Sequence, residues 1–600
     1  MKKYLLGLAV SLGLQIPLAE AQNAPNYQLS SELITAFQEM QTHNHQHTNG
    51  RGERHKNCLT PLLLQVKGSW DELTDEAKQV FQQFENRPSL ANEQVVESEH
   101  FAFHFTLVGA DAINAADNNG NGTPDYVEKM IVAFEKVYDD EITRQGYVFP
   151  PSDKGVGGSD LYDVYMFDIG EGLYGYVQPE NIIGDNPNSS AVETNAGTSF
   201  MAMRHNYRGF GNQDMALNVT AAHEFFHAIQ MGYRVDFRLR NPSTWIYEST
   251  AAWMEDEVFP GADDNLQYLP SLFDTPDVAT NLNFADQGWS EFRNFQGHWY
   301  GGWILMQYIE EVATYEVIRK TWEKIRNEDE IVALDASLKE VTGKNLKQIF
   351  SDFSIASQLL TSSSGAGVYT FKRAEDYKNS LRRFTGRIGA RIENNFTFSG
   401  TATTYNSGQG NSRLLRFSRD YVRLNTSQEK FKIKLIVNSN EVAMQLLKVN
   451  SSTGAFEVQG GIDSKEIEVS NGRNFDQFFI IVSRYDFEVR NTNSVQYSID
   501  VEPVGQTTDP TGIDNLAQGE LVSLFPNPAT EKVWIAYELQ TQENISLHVH
   551  DLTGRHLFET QSTQNKGVME IPAQNLQKGI YLVSIWKEGQ RVALRRFMKE

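Results

Sequence analysis

Two histidines four residues apart, His223 and His227, stand in "AAHEFFHAIQMGYR" (221 to 234) with Glu224 directly after the first. Positions four apart share a face of a helix, so both imidazoles can reach one metal ion while Glu224 lies beside the ion's open position. That arrangement suits a zinc hydrolase. Zinc lowers the pKa of its bound water to about 7, and a neighbouring carboxylate takes the proton as the water attacks a carbonyl. So short a motif also arises by chance, but here its flanks carry Met215, Leu217, Val219, Phe226 and Ile229 with no Gly or Pro. The segment reads as a buried helix, in which two unpartnered histidines would be costly.

A catalytic zinc needs a third protein ligand and an open fourth position. "STWIYESTAAWMEDE" (243 to 257) reads as the next helix and offers Glu248, with Ala252 and Glu255 near the same face and small Ala251 and Ala252 permitting close approach to the first helix. Glu224 is then the general base, and His223, His227 and Glu248 are the zinc ligands.

A second metal pattern lies upstream. "DNNGNGTPDYVE" (117 to 128) sets oxygen-bearing side chains at Asp117, Asn119, Asn121 and Asp125, Gly122 at the sharp turn and Glu128 at the twelfth position. This is the spacing of an EF-hand calcium loop, with the Thr123 carbonyl as the seventh-position ligand. No comparable helix enters it, so a bound Ca2+ would be structural; an Asn- and Gly-rich turn that binds nothing would look the same.

At this point the chain resembles the gluzincin metallopeptidases, the thermolysin-like group in which HExxH on one helix is completed by Glu on the next. More narrowly it resembles a largely uncharacterised family of secreted bacterial metallopeptidases, through "HFAFHFTLVGADA", "DNNGNGTPDYVE", "TAAHEFFHAIQ" and "WIYESTAAWMED". The resemblance covers about 58 to 360 and implies a zincin-like fold, zinc at His223, His227 and Glu248, and Glu224 as base. Thermolysin-like enzymes place an aspartate four residues after the ligand glutamate, where this chain has Ala252, so the histidines' outer partner is left to Glu255 or Asp256. Gluzincins stabilise the oxyanion with a downstream Tyr or His, and "FQGHWYGGWILMQYIEE" (295 to 311) offers Tyr300, favoured by the family's helix pattern, and His298. An interfacial aromatic on a Trp- and Tyr-rich helix is the plainer reading of Tyr300.

These motifs need elements to carry them. The chain has 600 residues, too many for one core. Residues 1–21 read as a signal peptide: Lys2 and Lys3, an apolar run too short to span a bilayer, then Ala19-Glu20-Ala21. Residues 22–95 are polar and mixed, an N-terminal segment that could be an inhibitory pro-region. They hold a histidine-rich tract (42 to 55), read as a solvated linker, and one expected helix, "SWDELTDEAKQVFQQF". Cys58 is the only cysteine. A latency thiol capping a catalytic metal is conceivable, but one cysteine alone does not carry that reading and it stays outside the mechanism. Residues 96–362 mix short strands with helical spacing at 127 to 138, 214 to 234 and 299 to 312, an α+β unit. Strand signals dominate 386–505, an expected β-sandwich for substrate, glycan or neighbouring domains; 506–520 reads as a linker and 521–600 as another small all-β unit.

That last unit, with Pro526, Asn527 and Pro528, then Asp551, Thr553, Gly554 and Arg555, then Gly579, Tyr581 and a closing basic strand, resembles the C-terminal sorting domain of the type IX secretion system of Bacteroidetes. The resemblance implies the type IX machinery as a partner, passage through the outer membrane, removal of the tail, and release or attachment to surface lipopolysaccharide. No stretch reaches the roughly 20 apolar residues of a membrane helix. A net charge of −24 argues against general nucleic-acid binding. The expectation is therefore a secreted or cell-surface zinc metallopeptidase, against two rivals: a binding or adhesion protein that keeps a zincin scaffold without turnover, which an intact Glu224 disfavours, and a peptidase restricted to glycoproteins.

Overall fold

Every side chain of Phe101–Phe105 and of Ala196–Arg204 is buried, and nearly all of Tyr162–Phe167, which marks strands covered on both faces. They form the parallel centre of a six-stranded sheet. The computed structural model describes residues 25–42, 57–235, 244–282, 297–409, 414–487, 493–504, 521–539 and 544–600. The signal segment expected at 1–21, the histidine-rich tract beyond Thr42 and the linker expected at 506–520 lie outside the described residues. Two compact units make up the chain, Met1–Glu502 and Pro503–Glu600.

The sheet of the first unit takes β1 (Asn57–Cys58), β2 (Gln94–Glu97), β3 (Phe101–Phe105), β4 (Tyr162–Phe167), β5 (Leu173–Gly184) and β6 (Ala196–Arg204) in the order β1-β5-β6-β4-β3-β2. Strands β3, β4 and β6 are parallel, β5 runs antiparallel to β6, and β1 adds parallel to the outer edge of β5. The chain up to Glu97 thus supplies both edge strands of the sheet.

That segment also folds into α1 (Tyr27–Thr42), α2 (Thr60–Gly68) and α3 (Asp75–Phe81). The single helix expected at 69–84 is broken: Leu73 is extended, and the Thr74 side chain accepts from the Ala77 N–H to start α3 afresh. Leu59, Leu62, Leu63 and Val66 are buried, each contributing roughly 2 kcal/mol of apolar burial. Arg87 binds Glu180 of β5 through two hydrogen bonds of 2.8 and 2.9 Å and also pairs with Asp153 and with Asp163 of β4.

The helical layer follows as α4 (Asp125–Tyr138), α5 (Gln213–Tyr233), α6 (Thr244–Val258), α7 (Leu269–Phe273), α8 (His298–Gly301), α9 (Trp303–Val312), α10 (Glu316–Ile325), α11 (Glu330–Thr342), α12 (Leu346–Leu359) and α13 (Ala374–Thr385). Asn212 caps α5 by accepting from the Met215 N–H. The helix expected over 299–312 divides at Gly302, whose Cα lies so close to α6 that an added Cβ would sit 2.1 Å from Ser249 Oγ.

Residues 394–503 form two facing sheets, one of five strands and one of four. Alternation assigns the faces of Gln477–Arg484: Ile480 and Val482 fill the core between the sheets, whereas Phe479 and Ile481 join the core of the helical layer. There Tyr421 Oη donates to the Ser354 carbonyl of α12 at 2.8 Å, and the Arg419 guanidinium stacks on Phe353.

The second unit is all β, a three-stranded and a four-stranded sheet around Val533, Ile535, Leu547, Val549, Val583 and Ile585. Its turn residues have definite tasks. Asp551 Oδ1 accepts from the N–H groups of Thr553 and Arg555 at 2.9 and 3.0 Å, and Asn527 bonds the backbone of Arg596 and Met598 in the last strand. No helix among the described residues is long and apolar enough to cross a membrane.

Candidate metal centre

Helix α5 is buried along nearly its whole length, between the sheet on one side and α4 and α6 on the other. Its inward face carries His223, Glu224 and His227, all at most 3% exposed. Helix α6 brings up Glu248, fully buried, so that Nε2 of His223 lies 3.2 Å from Glu248 Oε2 and Nε2 of His227 lies 3.4 Å from Glu248 Oε1. The two Nε2 atoms are themselves 3.2 Å apart. Donors about 2.0 to 2.1 Å from one zinc in a tetrahedron stand about 3.3 Å from each other, and these three contacts, which reach Glu248 through a different oxygen for each ring, have that spacing.

The outer partners fix both rings. His223 Nδ1 is 2.7 Å from Glu255 Oε1, and His227 Nδ1 is 2.7 Å from Gln230 Oε1. Each contact favours the proton on Nδ1, so that in the neutral ring the Nε2 lone pair faces the centre. Gln230 Nε2 in turn donates to the Tyr247 carbonyl and Thr250 Oγ1 of α6, tying α5 and α6 together. Of the two carboxylates expected behind the histidines, Glu255 takes the role and Asp256 instead pairs with Arg373. Gln230 escaped the sequence reading, although its place three residues after His227, on the same helical face, was a usable signal.

Charge in this cluster is unbalanced: Glu224, Glu248 and Glu255 surround two imidazoles. Neither Glu248 oxygen makes a well-formed hydrogen bond, and a buried carboxylate without one is costly unless a cation faces it. Burial disfavours the charged form of His223, but Glu248 and Glu255 outweigh it and raise the ring to about 10. Burial likewise opposes ionisation of Glu248, and the two histidines overcome it, holding the carboxyl at about 2. Glu224 is shifted upward, by burial first, with the histidines opposing. The donor set fits a divalent cation.

Glu224 reaches its position because β5 carries Gly175 there: an added Cβ would lie 2.9 Å from Glu224 Cγ and 3.0 Å from Thr220 Cγ2. A small cavity, lined by Cys58, Tyr174, Thr220, His223, Glu224 and Tyr300, opens beside Glu224. Tyr300 is held over it by α8, where Ser249 Oγ donates to the Trp299 carbonyl at 2.7 Å. Burial raises its phenol well above the usual range, with Glu248 adding to the effect, so it stays a neutral donor. His298 is placed elsewhere. Its Nε2 faces the Ala279 carbonyl at 2.9 Å and its Nδ1 the Ser271 carbonyl at 3.1 Å, and burial lowers its pKa to about 4. It braces the chain before α8 and does not line the cavity.

The loop 117–128 is exposed and separate from this centre. Asp117 accepts from the N–H groups of Gly120, Asn121 and Gly122, and Gly122 has φ +90° at the sharp turn. Asn119 and Asn121 turn amide nitrogens onto Glu128 Oε1, at 2.8 and 2.6 Å, while Asp125 and Glu128 sit in the first turn of α4. Rotating those two amides would present oxygen in place of nitrogen. The Thr123 N–H donates to Asn121 Oδ1, leaving its carbonyl as the expected ligand atom.

Comparisons with known proteins cover both ends of this picture. Among solved structures, a β-glucuronidase from Ruminococcus gnavus in complex with D-glucaro-d-lactam aligns at 7% identity over 30% of this chain and 35% of that chain, with a TM-score of 0.13. Its apo form (8%, 30% and 34%, TM-score 0.13) and the β-glucuronidase of Lactobacillus rhamnosus (6%, 30% and 34%, TM-score 0.13) are equally remote. The chain spans about a third of those enzymes, and a likeness of this size carries no argument about fold or activity. No curated protein matches the chain. Residues 74–358, which include His223, Glu224, His227 and Glu248, match a family of unknown function, DUF6055. Residues 523–600 match the secretion system C-terminal sorting domain, so the chain is a cargo of type IX secretion, delivered to the cell surface or released from it.

Proposed function

We propose that the chain is a zinc-dependent peptidase of gluzincin type, acting outside the cell. The observation that carries this reading is the cluster of His223, His227 and Glu248, whose two Nε2 atoms lie 3.2 Å apart and each 3.2 to 3.4 Å from one of the two Glu248 oxygens, with Glu224 beside it. Zinc held there supplies Lewis acidity, bringing the pKa of water down to about 7. Glu224, raised by burial, accepts the proton of the attacking water and later returns it to the leaving amine. Tyr300 donates its phenolic O–H to the oxygen on which negative charge develops. Glu255 and Gln230 keep both imidazoles in the tautomer that offers Nε2.

The same reading assigns calcium to loop 117–128, through Asp117, Asn119, Asn121, the Thr123 carbonyl, Asp125 and Glu128, as a brace for α4 in a chain with one cysteine. After export the tail is removed and the remainder is released or joined to surface lipopolysaccharide. The rival, a binding protein on this scaffold, would need the ligands but no base, and Glu224 is present with its position protected by Gly175.

The test is zinc content together with cleavage of a mixed protein substrate, for the parent and for Glu224→Gln, each assayed intact and after limited proteolysis. One zinc per chain in both, with cleavage by the parent alone, is the expected result. Chains without stoichiometric zinc, or cleavage that survives Glu224→Gln, would overturn the reading, and zinc without cleavage in any form favours the binding protein.

A further inference from the structure

The mechanism above leaves Cys58 unused, yet its Sγ lies among the ligands. One donor atom each from Cys58, His223, His227 and Glu248 forms a group in which all lie within 4.8 Å of one another, every residue buried. Independently of the cysteine, Glu248 is fully buried with both oxygens lacking a well-formed hydrogen bond and turned into the same centre. Two imidazoles and a carboxylate leave a tetrahedral ion one position short, and thiolate sulfur is a regular occupant of such a position.

The neighbours of Cys58 show what its segment covers. Cys58 pairs with Gly175 across β1 and β5, and its N–H donates to Tyr300 Oη at 3.1 Å. Its Sγ is 3.4 Å from Glu224 Oε2. Thr60 Oγ1 accepts from the Val177 N–H of β5 at 2.8 Å and donates to Glu224 Oε2 at 3.3 Å. Residues 57–60 therefore engage the base, the oxyanion donor and the free edge of β5, where an extended peptide would otherwise add as a strand. The buried leucines of α2 and the Arg87 cluster hold down the chain that follows this contact.

We propose that Cys58 is a fourth metal ligand, bound as thiolate, and that residues 57–60 lie in the substrate cleft, so that the chain leaves the cell as a latent precursor. The proposal rests on the metal-site reading above. On ligation the thiol proton passes to solvent and the sulfur–metal bond forms. Hydrolysis of the chain beyond Cys58 by a second peptidase, one water consumed per bond cut, releases the segment and opens the position.

The experiment uses the full exported chain loaded with cobalt(II) in place of zinc. The parent should bind one cobalt and show the near-ultraviolet thiolate-to-cobalt charge-transfer absorption. Cys58→Ser and Cys58→Ala should keep the cobalt and lose that absorption. A parent that binds one cobalt without it overturns the thiolate ligand and leaves the three-residue metal site standing, whereas a parent that binds no cobalt overturns both. Should either variant fail to fold, the parent spectrum alone decides.

Discussion

Glu255 Oε1 and His223 Nδ1 meet at 2.7 Å while the other nitrogen of the same ring faces Glu248 at 3.2 Å. The imidazole is thus gripped from behind by the helix that carries Glu248, the proposed third ligand. Thermolysin-like enzymes take their outer carboxylate from one turn after that ligand, where this chain has Ala252. Glu255 lies about two turns after Glu248 on the same face of α6, and its longer side chain makes the reach. Glu255→Gln should weaken zinc binding about 10- to 100-fold, measured by competition with a chelator, while Asp256→Asn, whose partner is Arg373, leaves it unchanged. Equal affinity in Glu255→Gln and the parent would remove the outer carboxylate from the site.

Tyr300 and His298 sit two positions apart and do different work. Tyr300→Phe deletes only the hydroxyl that faces the cavity. In whichever form of the parent cleaves, it should lower kcat about 100-fold with KM and zinc content little altered. His298→Ala should instead lower the melting temperature, since it unties Ser271 and Ala279 from the chain ahead of α8. An unchanged kcat in Tyr300→Phe would take the tyrosine out of the mechanism.

The cluster was legible because a helix repeats: His223, His227 and Glu224 needed only the spacing of α5, and Glu248 only the next helix. Gln230 and Glu255 follow from the same periodicity once the ligands are fixed. Gly175 and Cys58 do not, since what matters about each is a contact across the sheet with residues far along the chain, and β1 is two residues long, too short to leave a periodic signal. The break at Gly302 was likewise invisible as spacing, because it answers to Ser249 on another helix. In the sandwich, alternation marked the strands, but not that alternate residues of Gln477–Arg484 would face helix α12.

Calcium should raise the melting temperature of the first unit by a few degrees at millimolar concentration, because an ion bound only by the folded loop stabilises by mass action. Glu128→Gln removes one of the three carboxylates and should abolish most of that shift while leaving zinc content unchanged. A calcium response that survives both Glu128→Gln and Asp117→Asn would show that the ion binds elsewhere.

Glu257, on the side of α6 opposite Glu248, gives the fold a pH dependence of its own. Burial raises its carboxyl from 4.5 to about 7, Glu310 adds to the shift, and Arg144 opposes it. With the folded pKa above the unfolded one, the folded chain binds more protons between those values, so stability is full below pH 4.5 and declines as pH rises to about 7. The shift corresponds to roughly 3 kcal/mol at most. Glu257→Gln keeps the size and cannot ionise. Its melting temperature should match the parent near pH 4.5 and exceed it by a margin that widens up to about pH 7 and then levels. A difference between the two chains that does not change with pH would mean that Glu257 is solvated well enough to ionise in the folded state at its ordinary pKa.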